Sequence, residues 1–188
     1  MVKWTVDVEY DWGGRTNGTI GITEGLPKII SAFKDKGVTG IFFISTELIS
    51  QFPRLPFYLR EVGHEVGSHG HFHTVYKEKF RQEKDRRLSM KYFQSGAHYR
   101  APKFSYENDD IYSKKEGHTG LLKHMWLKEP MRKIFYLHPF DIVETKEKAP
   151  NLFCKLWYSQ PKRAYETFIN LLDNYSSLYS SSQASQKT

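Results

Sequence analysis

Short apolar segments and amphipathic segments alternate along the chain, with turn residues between them. Val38–Ser45 is a nearly continuous apolar run, which predicts a strand buried on both faces of a parallel sheet. Residues 2–9 partly alternate and are rich in β-branched residues, so they predict a first strand that ends in acidic residues. Three further strands are predicted over His64–His69, Ala97–Ala101 and Lys133–His138.

Apolar residues spaced three or four apart predict helices between these strands. The segment 23–36 shows this spacing and stops at Gly37. A charged helix is predicted over 78–93 and a last helix over 160–179. The residues expected on the inner side of the charged helix are Phe80, Leu88 and Tyr92. Shorter helices are predicted over Thr46–Gln51, Pro53–Val62 and Leu121–Leu127.

This order of elements predicts an α/β fold with a parallel sheet, either open or closed into a barrel. In such folds the functional side chains collect at the carboxyl ends of the strands. Asp7 and Glu9 end the first predicted strand. His69, Arg100 and His138 lie at or next to the ends of later strands. We therefore expect these five side chains on one face of the protein.

Length and composition indicate one globular domain. The 188 residues suit a single core, and we assign 1–179 to one domain and the Ser/Gln-rich 180–188 to a flexible tail. No segment approaches the roughly 20 apolar residues of a membrane helix. The N-terminus also lacks the residue order of a secretory signal. A cytoplasmic protein without a transmembrane segment is therefore expected.

Cysteine content and charge limit the chemistry. Cys154 is the only cysteine, which excludes an intrachain disulfide and a thiolate metal site. The net charge of +7 suggests tolerance of, or attraction to, anionic partners, or simply serves solubility, and charge alone does not decide between these. The basic residues are scattered without a basic–aromatic motif, so nucleic acid is not an expected partner. Any metal site must be built from histidines and carboxylates.

Three of the eight histidines, His69, His71 and His73, fall within five residues. On a strand all three side chains share a face. On a helical turn, residues four apart converge, which brings His69 and His73 together and turns His71 away. Both geometries place two imidazoles where one metal ion can bind them, so this segment predicts a metal site.

Four short motifs follow one another in the sequence: T-V-D-V-E (Thr5–Glu9), S-H-G-H-F-H (Ser68–His73), Y-R-A-P (Tyr99–Pro102) and F-Y-L-H-P-F-D (Phe135–Asp141). Together they resemble the motifs of the polysaccharide deacetylases, carbohydrate esterase family four. The subgroup that the chain resembles is the one whose first motif reads Asp-Val-Glu. The resemblance spans roughly residues 2–145.

The resemblance implies a distorted (β/α) barrel and a divalent metal, zinc first, with cobalt, nickel or iron as alternatives. It implies Glu9, His69 and His73 as the metal ligands, with Asp11 as a reserve ligand. Asp7 would then be the general base on a water that the metal activates, as hydrolysis of a poorly electrophilic amide requires.

The resemblance also implies roles outside the metal site. Arg100 would pair with the catalytic aspartate and keep it ionised. His138 would protonate the leaving amine. The remaining substrate contacts are expected from His71, Tyr99 and Pro102. Asp109, Asp110 and Trp126 are candidates by position alone for residues that line the groove.

The chain is short for a (β/α) barrel, whose usual lower limit is about 200 residues. We therefore predict a shortened, divergent member with an incomplete barrel of five or six strands, whose groove is open or completed in a homo-oligomer. The predicted function is metal-dependent removal of N-acetyl groups from an N-acetylated sugar, oligosaccharide or glycan precursor that can be anionic. Two alternatives stay open: hydrolysis of a non-sugar amide or cyclic imide C–N bond, and a catalytically impaired glycan-binding module.

Overall fold

The computed structural model contains an open sheet of six parallel strands in the order β4-β3-β2-β1-β6-β5. The structure describes residues 2–74, 76–102, 118–128, 134–145 and 148–184, with the backbone alone at 118 and 176–184. The strands are β1 Lys3–Val8, β2 Gly40–Ile44, β3 Glu65–Ser68, β4 His98–Tyr99, β5 His118–Gly120 and β6 Ile134–Leu137. The predicted parallel α/β architecture is confirmed.

Helices and tight turns connect the strands. The helices are α1 Asp11–Gly14, a single turn, α2 Leu26–Asp35, α3 Leu55–Glu61, α4 Lys79–Met90, α5 Leu121–Leu127, α6 Leu152–Trp157 and α7 Pro161–Ala184. A π-helical turn, Gly21–Gly25, leads into α2, and short 3₁₀ turns cover Thr46–Ser50 and Pro139–Ile142. Among the described residues, no helix combines the length and the apolar composition that a membrane span requires.

The main core lies between the sheet and the helices α2 and α7. Trp4, Val6 and Val8 of β1 are buried in this core because alternate side chains of a strand share a face. The Trp4 ring lies 6.2 Å from the ring of Phe33 in α2 and 6.4 Å from the ring of Phe168 in α7. Truncating a buried ring such as Phe168 to alanine typically costs about 3–5 kcal/mol. These aromatic contacts therefore fix both helices on the sheet.

The other face of β1 carries Thr5 and Asp7. The parallel register aligns Val8 with Ile44, and Ile44 with Ser68. The carboxyl ends of β1, β2 and β3 therefore meet at one edge. Residues that follow these strands are brought together there, as the sequence predicts.

The predicted inner side of the charged helix is wrong. Phe80, Leu88 and Tyr92 are exposed, with relative accessibilities of 69%, 38% and 48%. The buried positions of α4 are polar and are Gln82, Asp85 and Ser89. The helix faces a polar loop after β3, so its inner side carries hydrogen-bonding groups.

Several boundaries differ from the prediction. Strand β5 was not predicted, nor was α6, whose first turn is capped by the Asn151 side chain accepting from the Cys154 N–H at 2.9 Å. The strand predicted over Lys133–His138 is β6, and Lys133 lies outside the described residues. The last helix continues to Ala184, beyond its predicted end at Tyr179. The division into a domain and a tail stays a prediction.

Candidate active site

A cavity of about 510 Å³ lies at the carboxyl edge of the sheet. Its floor carries acidic and imidazole side chains from three separate segments. These side chains are Asp7, Glu9, His69, His73, His138 and Asp141. The volume lies in the range of sites for small molecules, roughly 300–1,000 Å³.

Glu9, His69 and His73 form the group that could hold a metal ion. One ligand atom from each side chain lies within 4.8 Å of the other two. The Nε2 atom of His69 is 3.5 Å from Glu9 Oε2, and the Nε2 atom of His73 contacts the same oxygen. Two imidazoles and a carboxylate are a common ligand set of catalytic zinc sites.

The hydrogen bonds of this group fit a bound cation. The Nδ1–H of His69 donates to the Arg100 carbonyl at 2.9 Å, which orients the ring so that Nε2 faces Glu9 Oε2. Among the described residues, Glu9 Oε2 is buried without a hydrogen-bond partner. A cation bound between this oxygen and the two imidazoles would supply the missing partner.

His73 is held in an unusual backbone conformation. Its φ angle of +41° lies in the left-handed region, which is costly for a residue with a Cβ. Gly14 of the α1 turn packs against its ring, and a Cβ added at Gly14 would lie 2.6 Å from His73 Nδ1. The lack of a side chain at Gly14 therefore leaves the space that His73 occupies.

Asp85 of α4 anchors the loop that follows β3 and carries His69, His71 and His73. The sequence did not reveal this role. The buried carboxylate accepts a hydrogen bond from the backbone N–H of His71 at 2.9 Å and one from the Tyr76 hydroxyl at 3.3 Å. The same loop is close to α4 at Gly70, where an added Cβ would lie 2.8 Å from Asp85 Oδ2. The loop between the two candidate histidine ligands is thus fixed from one side.

Asp7 forms an ion pair with Arg100 next to the candidate metal ligands. The Nη1 atom of Arg100 contacts Asp7 Oδ1, and Nη2 donates to the Thr5 hydroxyl at 2.9 Å. The guanidinium also lies over the Phe43 ring, 4.2 Å from its centroid. Burial alone would raise the pKa of Asp7, but the positive charges of Arg100 and the nearby histidines outweigh it and lower the pKa from 3.8 to about 2. Asp7 is therefore an oriented, ionised carboxylate.

His138 is half-buried and faces both candidate acids. Its Nε2 atom is 3.5 Å from Glu9 Oε1 and 4.0 Å from Asp7 Oδ2, while Nδ1 lies 3.3 Å from Asp141 Oδ2. Burial alone would lower the pKa of His138, but the carboxylates of Asp141, Glu9 and Asp7 raise it from 6.5 to about 9. His138 is therefore protonated at neutral pH and can donate a proton. The role of Asp141 was not recognised in the sequence, although it lies in the last motif.

A family model described as polysaccharide deacetylase matches residues 4–112, more than half of the 188 residues. The chain belongs to the polysaccharide deacetylase family. The match covers Asp7, Glu9, His69, His73 and Arg100. No curated protein matches the chain in sequence.

Solved structures of carbohydrate esterase family four have a similar fold. The Bc1960 peptidoglycan N-acetylglucosamine deacetylase, in complex with 4-naphthalen-1-yl-N-oxidanyl-benzamide, has a TM-score of 0.59 at 14% identity, over 92% of this chain and 81% of that chain. The peptidoglycan deacetylase PdaC from Bacillus subtilis has a TM-score of 0.56 at 11% identity, over 95% and 84%. At these identities the likeness shows the fold.

A pseudoenzyme is also among the similar structures. Wild-type BA3943 from Bacillus anthracis, a pseudoenzyme of this family, has a TM-score of 0.52 at 14% identity, over 89% of this chain and 60% of that chain. A BA3943 mutant with restored enzymatic activity matches with a TM-score of 0.54 at 16% identity, over 90% and 62%. The chain thus spans less than two thirds of the length of the BA3943 chains.

Three side chains predicted to bind substrate lie away from this cavity of the deacetylase fold. His71 Nδ1 is 2.8 Å from the Thr46 hydroxyl, and its ring stacks on Tyr92. The Tyr99 ring packs under Arg86. Within the described part of the chain, the cavity lining does not include His71, Tyr99 or Pro102. Their substrate roles stay predictions without geometric support.

The other candidates are also accounted for. The carboxylate of Asp11, the reserve ligand, accepts from the N–H groups of Ile20 and Gly21 at 2.7 and 2.8 Å. It is therefore used by a backbone turn, and Glu9 is the carboxylate beside the histidines. The Trp126 indole donates to the carbonyl of Trp157 at 3.3 Å. Asp109 and Asp110 lie outside the described residues.

One wall of the cavity was missed in the sequence. It is formed by Arg15, after the α1 turn, and by Phe153, Trp157 and Tyr158 in and after α6. The Tyr158 ring packs against the rings of Trp12 and Phe140, with centroids 5.8 Å apart in both cases. Closely spaced aromatic residues around 153–158 were the only sequence signal for this wall.

Proposed function

We propose that the protein is a metal-dependent hydrolase that removes the N-acetyl group from an N-acetylated sugar, oligosaccharide or glycan precursor. The observation that carries this proposal is the convergence of the Glu9, His69 and His73 group with Asp7 and His138 in one cavity. Membership of the polysaccharide deacetylase family supports the reaction class. Zinc is the proposed metal because the ligands are two imidazoles and one carboxylate.

Glu9, His69 and His73 would hold the metal ion. When bound, a divalent cation polarises an amide carbonyl and acidifies water. The hydrogen bond from His69 Nδ1 to the Arg100 carbonyl fixes the ring so that Nε2 points into the cavity. The loop anchored by Asp85 supports the same orientation.

Asp7 is proposed as the general base. Its carboxylate is held by Arg100 and lies 3.9 Å from His69 Nε2, beside the ligand group. The low pKa keeps the carboxylate ionised and ready to accept a proton. Arg100 is a positioning residue, since the guanidinium contacts Asp7 and is buried behind it.

His138 is proposed as the general acid. The raised pKa keeps its imidazolium protonated at neutral pH, and Nε2 faces the cavity close to both carboxylates. A protonated imidazole at this place can deliver a proton to the leaving amine. Asp141 orients the ring through Nδ1, as carboxylate partners of catalytic histidines generally do.

We further propose that the chain is a shortened, divergent member of the subgroup with an Asp-Val-Glu first motif. The motif reads Asp7-Val8-Glu9 here, and the longer carboxylate of Glu9 reaches the two histidines. The similar BA3943 structures are of a pseudoenzyme, so likeness of fold alone does not imply turnover. The case for turnover depends on the polar residues that converge in the cavity of this chain.

Acetate release from N-acetylated oligosaccharides tests the proposal. We expect release by the zinc-loaded protein, loss of release with excess chelator, and recovery when zinc or cobalt is added back. The Asp7→Asn variant is the control for acetate from other sources. Hydrolysis of a cyclic imide without acetate release would favour the second enzyme class. Sugar binding without any hydrolysis would favour the binding module, and either result would contradict the proposal.

A further inference from the structure

Arg15 lies beside the catalytic group of the cavity. A Cβ added at Gly13 would lie 2.9 Å from Arg15 Nη1, 3.2 Å from Tyr158 Oη and 3.6 Å from Glu9 Oε1. The guanidinium and the carboxylate of the candidate metal ligand are thus both close to one point in space. A single small molecule in the cavity can therefore contact both regions.

The guanidinium of Arg15 is oriented but carries an unused charge. Its Nη1 donates to the Trp12 carbonyl at 3.0 Å, and its Cζ atom lies 5.6 Å from the centroid of the Phe153 ring. Among the described residues, Arg15 makes no ion pair with a carboxylate. Arg15 is exposed and lines the cavity, so its guanidinium is accessible to an anionic group bound there.

The acidic side chains of the cavity floor do not neutralise this charge. Asp7 is paired with Arg100, Asp141 with His138, and Glu9 faces His73. The carboxylates of the floor therefore already have partners, and the guanidinium of Arg15 is left for an anionic ligand.

The neighbouring wall of α6 carries two aromatic side chains, Phe153 and Trp157, that line the cavity. The rings of Phe153 and Trp157 are stacked, with centroids 5.5 Å apart and an angle of 15° between their planes. Phe153 is 48% exposed, and the carbonyl of Trp157 is bound by the Trp126 indole. The C–H face of a pyranose ring is apolar and can pack on such a surface, with its hydroxyl groups at the edges.

We propose that Arg15 and the Phe153–Trp157 pair form a subsite for an acidic N-acetylated sugar, one that carries a carboxylate or phosphate beside the ring. The ring packs on the aromatic pair, the anionic group binds the guanidinium, and the acetamido group extends toward Glu9. This assignment depends on the proposed function for the acetamido end. The substrate class is then an acidic glycan or a phosphorylated sugar.

Equilibrium binding to the zinc-loaded full chain tests the subsite, in an Asp7→Asn background that prevents turnover. Three probes are compared by titration calorimetry: N-acetylglucosamine, N-acetylmuramic acid with its carboxylate, and N-acetylglucosamine 6-phosphate. We expect at least one acidic probe to bind about 10-fold more tightly than the neutral one, the scale of one charge-assisted hydrogen bond. The two acidic probes distinguish a carboxylate from a phosphate source.

Substitutions test which side chains cause the preference for acidic probes. Arg15→Gln is expected to bind all three probes alike, Arg15→Lys to keep part of the preference, and Phe153→Ala to weaken all three probes together. The matched control is Arg54→Gln, an exposed arginine on another groove, which removes the same net charge and should change nothing. Circular dichroism and thermal unfolding confirm that each variant is folded.

Three outcomes would overturn the subsite: equal affinity for all probes, no binding of any probe, or a preference that survives in Arg15→Gln. Failure of the proposed function looks different. In the wild-type background, an acidic preference without acetate release from any probe would leave the subsite intact and remove the deacetylase. Acetate release from neutral and acidic probes alike, without a binding preference for the acidic ones, would support the deacetylase and overturn the subsite.

Discussion

Asp7 and Glu9 are separated by one residue, yet their carboxylates have different neighbours. Asp7 is held by the guanidinium of Arg100, whereas Glu9 faces the imidazoles of His69 and His73. A carboxylate paired with a fixed cation keeps its charge and position. A carboxylate between two imidazoles is suited to share a metal ion with them. The surroundings therefore separate the proposed base from the proposed ligand.

Asp7→Asn is expected to lower kcat by about 10²–10⁴-fold and to leave zinc binding nearly unchanged. The amide keeps the size of the side chain but cannot accept a proton. Acetate release and metal content are measured on the same sample. Asp173→Asn, which breaks a surface ion pair with Lys36, is the control and should change neither quantity. Loss of zinc in Asp7→Asn would contradict the division of roles.

His138→Ala is expected to lower the rate and to remove the alkaline limb of the pH profile. The pKa of His138 is raised to about 9, so the imidazole carries the extra proton below that pH. It loses this proton, and with it the ability to act as an acid, as the pH rises through about 9. A cation at Glu9 would lower this pKa, which places the limb at or below pH 9. The rate is measured as a function of pH, together with the metal content. An unchanged alkaline limb in the variant would exclude His138 as the acid.

At the residue scale the motifs predicted which side chains meet, but not every contact. The order of Asp7, His69, Arg100 and His138 in the sequence sufficed because parallel strands bring their carboxyl ends together. The choice between Glu9 and Asp11 depended on the turn that follows β1. Trp12 and Gly13 there have left-handed φ angles of 60° and 71°, and Asp11 binds backbone N–H groups of the returning chain. The Gly13–Gly14 pair signals a turn there, but not which carboxylate the turn uses.

At the element scale, α4 shows why a hydrophobic pattern can mislead. The apolar positions of this helix are exposed, and the buried Asp85 and Ser89 contact the strand and loop that carry the histidines. Ser89 accepts a hydrogen bond from the Ser68 hydroxyl at 2.6 Å. A helix that supports a polar loop buries polar groups, so periodicity of apolar residues cannot identify its inner face.

The α1 turn yields a prediction with a matched control. Gly14→Ala places a Cβ against the His73 ring, which must move, so zinc affinity is expected to fall about 10- to 100-fold. Gly37→Ala shares the positive φ, +62° against +71°, but nothing in the described part of the chain lies within 4 Å of its added Cβ. Both variants carry backbone strain of about 1–2 kcal/mol.

Zinc affinity by competition with a chelating dye, together with thermal unfolding, separates the two effects. Both variants should unfold at lower temperature, and Gly14→Ala alone should bind zinc weakly. Equal zinc affinity in the two variants would show that His73 does not depend on the space at Gly14.

At the scale of the whole molecule, the alternation of strands and helices correctly predicted a parallel α/β sheet. The described residues form six strands, which is the upper of the two predicted numbers. The three-residue β5 and the six-residue α6 were missed, because elements of this length carry too few positions to show a period. The predictions of a cytoplasmic location and of a groove completed in a homo-oligomer stay predictions.

The acid stability of the metal-free protein should reflect the Asp7–Arg100 pair. Because the pKa of Asp7 is lowered from 3.8 to about 2, its contribution is fully present above pH 3.8 and is lost as the pH falls through about 2. The contribution is on the order of 2 kcal/mol. Urea unfolding of wild type and Asp7→Asn, both in chelator, should therefore show a difference in unfolding free energy that shrinks toward pH 2. A difference independent of pH would contradict the ion pair.

Metal content of the purified chain, wild type beside His73→Ala, tests the central claim most directly. We expect one divalent ion per wild-type chain and none in the variant. Metal content is measured by inductively coupled plasma mass spectrometry after dialysis. His71→Ala is the control from the same loop, because the His71 ring is hydrogen-bonded to Thr46 and does not line the cavity. A wild-type protein that is free of metal and takes up neither zinc, cobalt nor nickel would contradict the metal-dependent deacetylase.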